Sequence, residues 1–321
     1  MSTGLLSADA RLVRIITTDQ LLAEGLTTDR IRTVVRAGSL IRVGRGCYVN
    51  SAKAEPFLRQ SEGRHLLSAG AALVGSGPDL VASHTTAARI HGLDLLDRPG
   101  DLVTLTRARA SGNRGSKAGV RLTAAELPES HVTVRYGLRV TTPARTVVDL
   151  ARMLPFRAGV VTADNALARR QVTKDELRQV VASCRQWPGV TRAAEVVEFA
   201  NGLSESALES IARVAFRDCG LPPPELQVWV DGEGFVGRAD FLWRGSNTIG
   251  EADGAFKYED PSRARRQLWR DARLRDAGFE VVHFTWQEIN ETPERVAASI
   301  RAAFERGKYA ATRRVPVPGR R

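Results

Sequence analysis

Lysine, cysteine and methionine are scarce in this chain of 321 residues, and each scarcity removes a class of explanation. The three cysteines, Cys47, Cys184 and Cys219, are far apart and outside any CxxC spacing, so neither a disulfide framework nor a zinc site is legible. They read as small buried hydrophobes. No stretch nears the ~20 apolar residues that cross a bilayer. The start, MSTGLLSADARLVRII, has no cationic region ahead of an apolar core, so a cytosolic protein with no membrane partner is expected. No phosphate-cradling glycine loop, GxSxG or HExxH occurs, which leaves a small-molecule enzyme with little support. Only five of the 47 cations are lysine. GC-rich coding alone produces such a skew, so the placement of the arginines matters more than their number.

What is present is a folded composition, 43% hydrophobic and 26% charged, with a net charge of +11. That length suits two or three domains of ~100–150 residues, and that charge makes a polyanion the first partner to consider. By segment the net charge is +3 for residues 1–56, +7 for 57–202 and +1 for 203–321.

Residues 1–56 hold IITTDQLLAEGLTTDRIRTVVRAGSLIRVGRGCYV, in which cap, helix and glycine stop recur twice before the period changes from 3.6 to 2. Thr17 or Thr18 caps a helix ended by Gly25, and Thr27 or Thr28 caps a second one stopped by Gly38. Strands over Leu40–Val43 and Cys47–Val49 flank the turn Gly44-Arg45-Gly46. With a first helix over roughly Leu6–Ile15, this is the element order of a winged helix-turn-helix. On the second capped helix Ile31, Val34 and Val35 point one way, which turns Asp29, Arg32, Thr33 and Arg36 outward. In such a fold that helix enters the major groove, while Arg42 and Arg45 on the wing meet the DNA backbone. The alternative is the solvated face of a small interaction domain.

Residues 57–201 read as a basic, mixed α/β domain. The loop Arg107–Lys117 carries four cations and no acid, and either lies against phosphates or is simply solvated. His84 and His91 share an apolar helix, where a core or capping role outweighs metal ligation. Capped helices begin at Thr173, in a TKDE capping box, and at Thr191. Residues 202–309 read α, β, β, β, α, β, α: a helix over Ser204–Cys219, a hairpin of Leu226–Val230 and Phe235–Trp243, a strand over Thr248–Asp253, an arginine-rich helix over Ser262–Ala277, a strand over Phe279–Thr285 and a last helix from Thr292-Pro293. Residues 310–321 form a basic tail, expected to be disordered. The fold class is thus α+β and multidomain.

Strands two and three of the third segment hold acids where apolar residues are expected. Glu251 and Asp253 alternate onto one face, and a tight turn at Gly245-Ser246 brings Asp240 close to them. Three such carboxylates repel one another unless a cation compensates; Mg²⁺ is the usual one for phosphate chemistry.

This segment resembles the PD-(D/E)xK nuclease superfamily, and especially its branch similar to very-short-patch-repair endonucleases. The likeness rests on LSESALES, GRADFLW, EADG and RARRQLWRDARLRDAGFEVVHFTW, in the αβββαβ order of restriction-endonuclease-like cores. It implies DNA phosphodiester hydrolysis, with Asp240 and Glu251 holding the metal and Glu209 extending the site from the preceding helix. Asp253 would add a ligand or orient water. Asp253 also stands where the motif has lysine, and Ala239 precedes Asp240 where it has proline. Lys257 would supply the missing ammonium if the EADGAFKY loop folds back. Arg266, Arg270 and Arg273, at helical spacing around Leu268, Trp269 and Ala272, either face a DNA backbone or form a solvated helix face.

The first two segments resemble the AbiEi antitoxin type of regulator. The likeness lies in TTDQLLAEGLTTDRIRTVVRAGSLIRVGRGCYV, SHTTAARIHGL and TTPARTVVDLA, and implies a winged helix on operator DNA and a cognate nucleotidyltransferase toxin as partner. Two functions therefore stand: a DNA-directed, Mg²⁺-dependent endonuclease, or a non-catalytic transcriptional regulator or antitoxin.

Overall fold

The computed structural model describes residues 13–76, 79–97, 100–107, 115–117, 119–232, 235–254 and 261–312, and among these described residues it is a mixed α/β chain of thirteen α-helices and three β-sheets. It divides into two units, Met1–Ala200 and Asn201–Arg321.

The first unit opens with β1 (Ile16–Thr17) and α1 (Thr18–Ala23). Thr17 accepts the Gln20 amide at 3.2 Å while the Gln20 side chain accepts the Thr17 amide at 3.0 Å, so two otherwise orphaned donors of the helix start are satisfied reciprocally. Thr27 caps α2 (Thr28–Arg36) in the same way through the Arg30 amide. After α2, Gly38 at φ +75° reverses the chain into β2 (Leu40–Gly44), which returns as β3 (Cys47–Asn50). The three strands pair antiparallel in the order β1-β3-β2, and Leu21, Ile31 and Leu40 form the core between them and the helices. The helix expected over Leu6–Ile15 lies mostly outside the described residues, and the three that are described, residues 13–15, are not helical.

Next come α3 (Ser51–Leu58), α4 (Ser61–Ser76), β4 (Leu80–Ala82), α5 (His84–His91), β5 (Val103–Arg107), β6 (Gly115–Lys117), β7 (Val120–Ala124), β8 (Val132–Arg135) and β9 (Leu138–Thr141). Their six-stranded sheet runs β6-β7-β5-β4-β9-β8, with β5 parallel to β7 and β4 parallel to β9. The end of the basic loop read over Arg107–Lys117 is therefore a strand, β6, paired antiparallel with β7; residues 108–114 lie outside the described residues. Four helices follow: α6 (Pro143–Met153), α7 (Phe156–Ala168), α8 (Lys174–Ser183) with its Thr173 capping box, and α9 (Val190–Phe199). Gly189 precedes α9 at φ +79°, and a Cβ there would sit 2.3 Å from the Arg152 carbonyl, so no other residue fits.

The second unit runs α10 (Ala207–Asp218), β10 (Glu225–Gly232), β11 (Phe235–Trp243), β12 (Thr248–Asp253), α11 (Pro261–Asp276), β13 (Glu280–Thr285), α12 (Trp286–Glu291) and α13 (Pro293–Thr312). The sheet order is β10-β11-β12-β13; the first two pairings are antiparallel and the last is parallel. Edge-to-face contacts join Phe216 of α10 to Phe241, Trp243 and Phe284 at 5.3–5.6 Å between centroids, each worth about 0.5–1.5 kcal/mol beyond burial. Leu274 of α11 packs on the opposite face with Leu242 and Ile249. Two features differ from the sequence reading. The strand β13 ends in a capping box, Thr285 with Glu288, that starts the short α12. The last helix also continues to Thr312, into the expected tail, whose remaining residues lie outside the described ones.

Candidate functional site

Two surfaces carry the residues singled out from the sequence, one in each unit. In the first, α2 buries Ile31 and leaves Asp29, Arg30, Arg32, Thr33 and Arg36 exposed. Arg32 donates to Asp29 at 2.8 Å, and the Thr33 hydroxyl donates to the Asp29 carbonyl at 2.9 Å. Both partners of that ion pair are mostly solvated, with 66% and 88% of their side chains exposed, so it holds Arg32 weakly. On the hairpin Arg42 and Arg45 are exposed; Arg42 donates to the Gly44 carbonyl at 3.1 Å. Arg36 and Arg45 make no side-chain hydrogen bond or ion pair among the described residues. Arg30 is an addition to the sequence reading; its place one residue before buried Ile31 was the signal that it shares this surface.

The middle of the first unit buries its polar residues as structure. His91 Nε2 lies 2.7 Å from the Thr141 carbonyl, and His84 Nδ1 lies 3.0 Å from the Ser83 hydroxyl. On α6 the buried Asp149 accepts from Arg145 at 2.8 Å and from Arg152 at 3.1 Å. Both guanidinium carbons lie over the Trp187 ring, 4.6 and 4.8 Å from its centroid.

In the second unit the expected carboxylates gather around the central strands. Pairing places Glu251 of β12 beside His283 of β13, and Asp240 lies one step beyond the last β11–β12 pair, Phe241 with Gly250. Asp240 Oδ2 accepts the Ala252 amide at 2.9 Å. Glu209, in the first turn of α10, accepts from the Ser206 hydroxyl at 2.7 Å and the Glu205 amide at 2.9 Å. The Gln227 amide group bridges Glu209 at 2.9 Å and Asp240 at 3.4 Å.

Burial is the main reason that Glu251 is pushed up to about 7, with the neighbouring Asp240 charge second; Arg270 opposes both. Burial raises Glu209 as well, against the hydrogen bonds it accepts. Asp253 faces a different partner: its Oδ2 lies 3.2 Å from His283 Nδ1, while His283 Nε2 lies 2.9 Å from Asp271. The hydrogen bond with Asp253 leads in raising the His283 imidazole above its ordinary value.

Arg270 does not join Arg266 and Arg273 on an outward face. It turns to the sheet and holds both oxygens of Glu251, at 3.1 and 2.9 Å, and also donates to the Arg238 carbonyl. Arg266 and Arg273 are exposed, with Arg273 5.3 Å from the centroid of the Trp269 ring. Lys257 lies outside the described residues. Gln227, Asp271 and His283 were missed from sequence. Gln227 and His283 are polar residues inside apolar strands, the same signal that revealed Asp240, whereas Asp271 lies on the arginine-rich α11, which carries no such signal.

The donors suit Mg²⁺ in kind, being carboxylate oxygens, but not as arranged. Among the described residues no three His, Cys, Asp or Glu side chains gather as a metal-holding group. Glu251 is engaged by a guanidinium, Asp240 by a backbone amide and Asp253 by an imidazole.

Residues 80–199 match the family AbiEi antitoxin C-terminal domain. The uncharacterized proteins MT2308 and Rv2248 of two Mycobacterium tuberculosis strains are each 32% identical to this chain over 295 residues, covering 89% of it and their own whole length. The crystal structure of RV2827C protein from Mycobacterium tuberculosis aligns at 16% identity and a TM-score of 0.40, over 57% of this chain and 71% of that one. The chain belongs to the family of these two uncharacterized mycobacterial proteins, and its residues 80–199 match the AbiEi antitoxin C-terminal domain family.

Proposed function

We propose that this protein is a DNA-binding regulator of the toxin-antitoxin kind, acting in the cytoplasm beside a cognate toxin. The observation that carries the reading is the exposed face of α2, where Arg30, Arg32, Thr33 and Arg36 surround a single buried anchor, Ile31. Residues up to 56 act as a winged helix-turn-helix, with α2 in the major groove and Arg42 and Arg45 of the β2–β3 hairpin on phosphates. Residues 57–201 supply the basic AbiEi-like domain, and the nucleotidyltransferase type of toxin follows from that likeness. Among the described residues no helix is long and apolar enough to cross a membrane, in keeping with this reading.

A second reading takes residues 202–309 as a nuclease-like domain that hydrolyses DNA with Mg²⁺, using Glu209, Asp240, Glu251, Asp253 and Lys257. Its support is the convergence of Asp240 and Glu251, but it needs Arg270 to release Glu251. The regulator reading needs no rearrangement. Gel-shift titration of the full chain on the DNA upstream of its own gene tests the first reading. Specific retardation that weakens steeply with salt is expected; equal affinity for unrelated DNA would refute it. Cleavage of plasmid DNA with Mg²⁺, lost in both Asp240→Ala and Glu251→Ala, would establish the second.

A further inference from the structure

The position that a metal would take beside Glu251 already has a cation. Both Arg270 amino groups reach both Glu251 oxygens, the fork-on-fork geometry in which a guanidinium matches a carboxylate best. The carboxylate is 3% exposed and the guanidinium side chain 22%, so the pair is shielded from water on the glutamate side. The third contact, to the Arg238 carbonyl, ties the same guanidinium to β11, the strand that carries Asp240. A buried carboxylate next to another needs a positive partner. α11 delivers one from a position fixed by Leu274 in the core and by Asp271 on His283.

We propose that Arg270 is the resident counter-ion of this carboxylate row, in the place where a related site would hold a divalent metal. A divalent ion needs oxygens it can approach to ~2.0–2.2 Å, and a bidentate guanidinium is both a steric and a like-charge barrier to it. The second unit is then held together without metal, and its row admits a divalent cation once the guanidinium is removed. This holds whether or not the first unit binds DNA, because no residue of that unit takes part.

The test is Mn²⁺ binding to the full chain, read by calorimetry and by the thermal midpoint. The wild type is expected to show no midpoint shift with millimolar Mn²⁺. Arg270→Gln is expected to take up one Mn²⁺ per chain at least tenfold more tightly, with a midpoint that rises with Mn²⁺, and the double variant Arg270→Gln/Asp240→Asn to lose that uptake. Wild-type uptake as tight as that of Arg270→Gln would overturn the proposal, and so would a folded Arg270→Gln that takes up none. If Arg270→Gln does not fold, Arg270→Lys carries the test, since an ammonium cannot span both oxygens. Uptake above wild type supports the proposal and uptake equal to wild type overturns it.

Discussion

Each unit buries an arginine against a carboxylate, and the two do so with opposite surpluses. In the first, Asp149 lies between Arg145 and Arg152, and the aromatic face of Trp187 takes part of their charge. In the second, Arg270 pairs with Glu251 alone while Asp240 stands close by, and Glu209 stands across Gln227. A surplus of cations around one anion is easily tolerated, because a guanidinium is weakly hydrated and can stack. A surplus of anions around one cation is not: burial first and the neighbouring Asp240 charge second push Glu251 up to about 7. The buried surplus is thus positive in the unit whose segments are basic and negative in the one whose segment is nearly neutral.

Three perturbations would break or sharpen this contrast. The largest effect of a single substitution is expected at Asp149. Asp149→Ala leaves two arginines without their carboxylate in the first unit and should lower stability by about 3–5 kcal/mol in urea denaturation; a loss below about 1 kcal/mol would remove the contrast. The next is pH. Burial holds His65 and His91 down to about 4, against 6.5 in the unfolded chain. Between those values the unfolded state binds more protons, so the stability of the first unit should fall as pH drops from 6.5 to 4, by up to ~3 kcal/mol per histidine. Glu251 works the other way: its folded value of about 7 lies above 4.5, so the folded state holds the extra proton. The second unit should lose stability as pH rises from 4.5 to 7, by up to ~3 kcal/mol. Hydrogen-exchange protection in segments 80–91 and 248–253 of the full chain should therefore move in opposite directions with pH; parallel movement would contradict the comparison. The smallest effect is expected for Glu251→Gln, which removes one of the crowded anions while keeping an acceptor for Arg270. At pH 8 its thermal midpoint should stay within the equivalent of ~1 kcal/mol of wild type, or rise.

Caps and glycine stops made much of the fold legible. Thr17, Thr27 and Thr173 begin helices where their side-chain chemistry requires, and the second unit runs α, β, β, β, α, β as its periodicities indicate. Asp240 and Glu251 were legible because each interrupts an apolar strand. The inward face of α11 was not. With arginines around most of its circumference the helix has no clean apolar stripe, and the sequence spacing of Arg266, Arg270 and Arg273 is silent on which one meets the sheet. The structure turns Arg270, Asp271 and Leu274 inward and leaves Leu268 and Trp269 69% and 53% exposed. Likewise, the pairing of His283 with Asp253 and Asp271 depends on strand register and helix rotation together, which no local pattern encodes.

The most direct test of a first unit that grips DNA and a second whose Glu251 is already held by Arg270 is one titration series on the upstream DNA, followed by fluorescence anisotropy. It compares wild type, Arg32→Ala/Arg36→Ala and Asp240→Asn/Glu251→Gln, with intact DNA checked on a gel after incubation with Mg²⁺. The expected result is a loss of affinity of tenfold or more in the α2 variant, from ~1–3 kcal/mol per base or phosphate contact, with the carboxylate variant unchanged and the DNA uncut. Unchanged affinity in the α2 variant, or wild-type cleavage that disappears in the carboxylate variant, would contradict it.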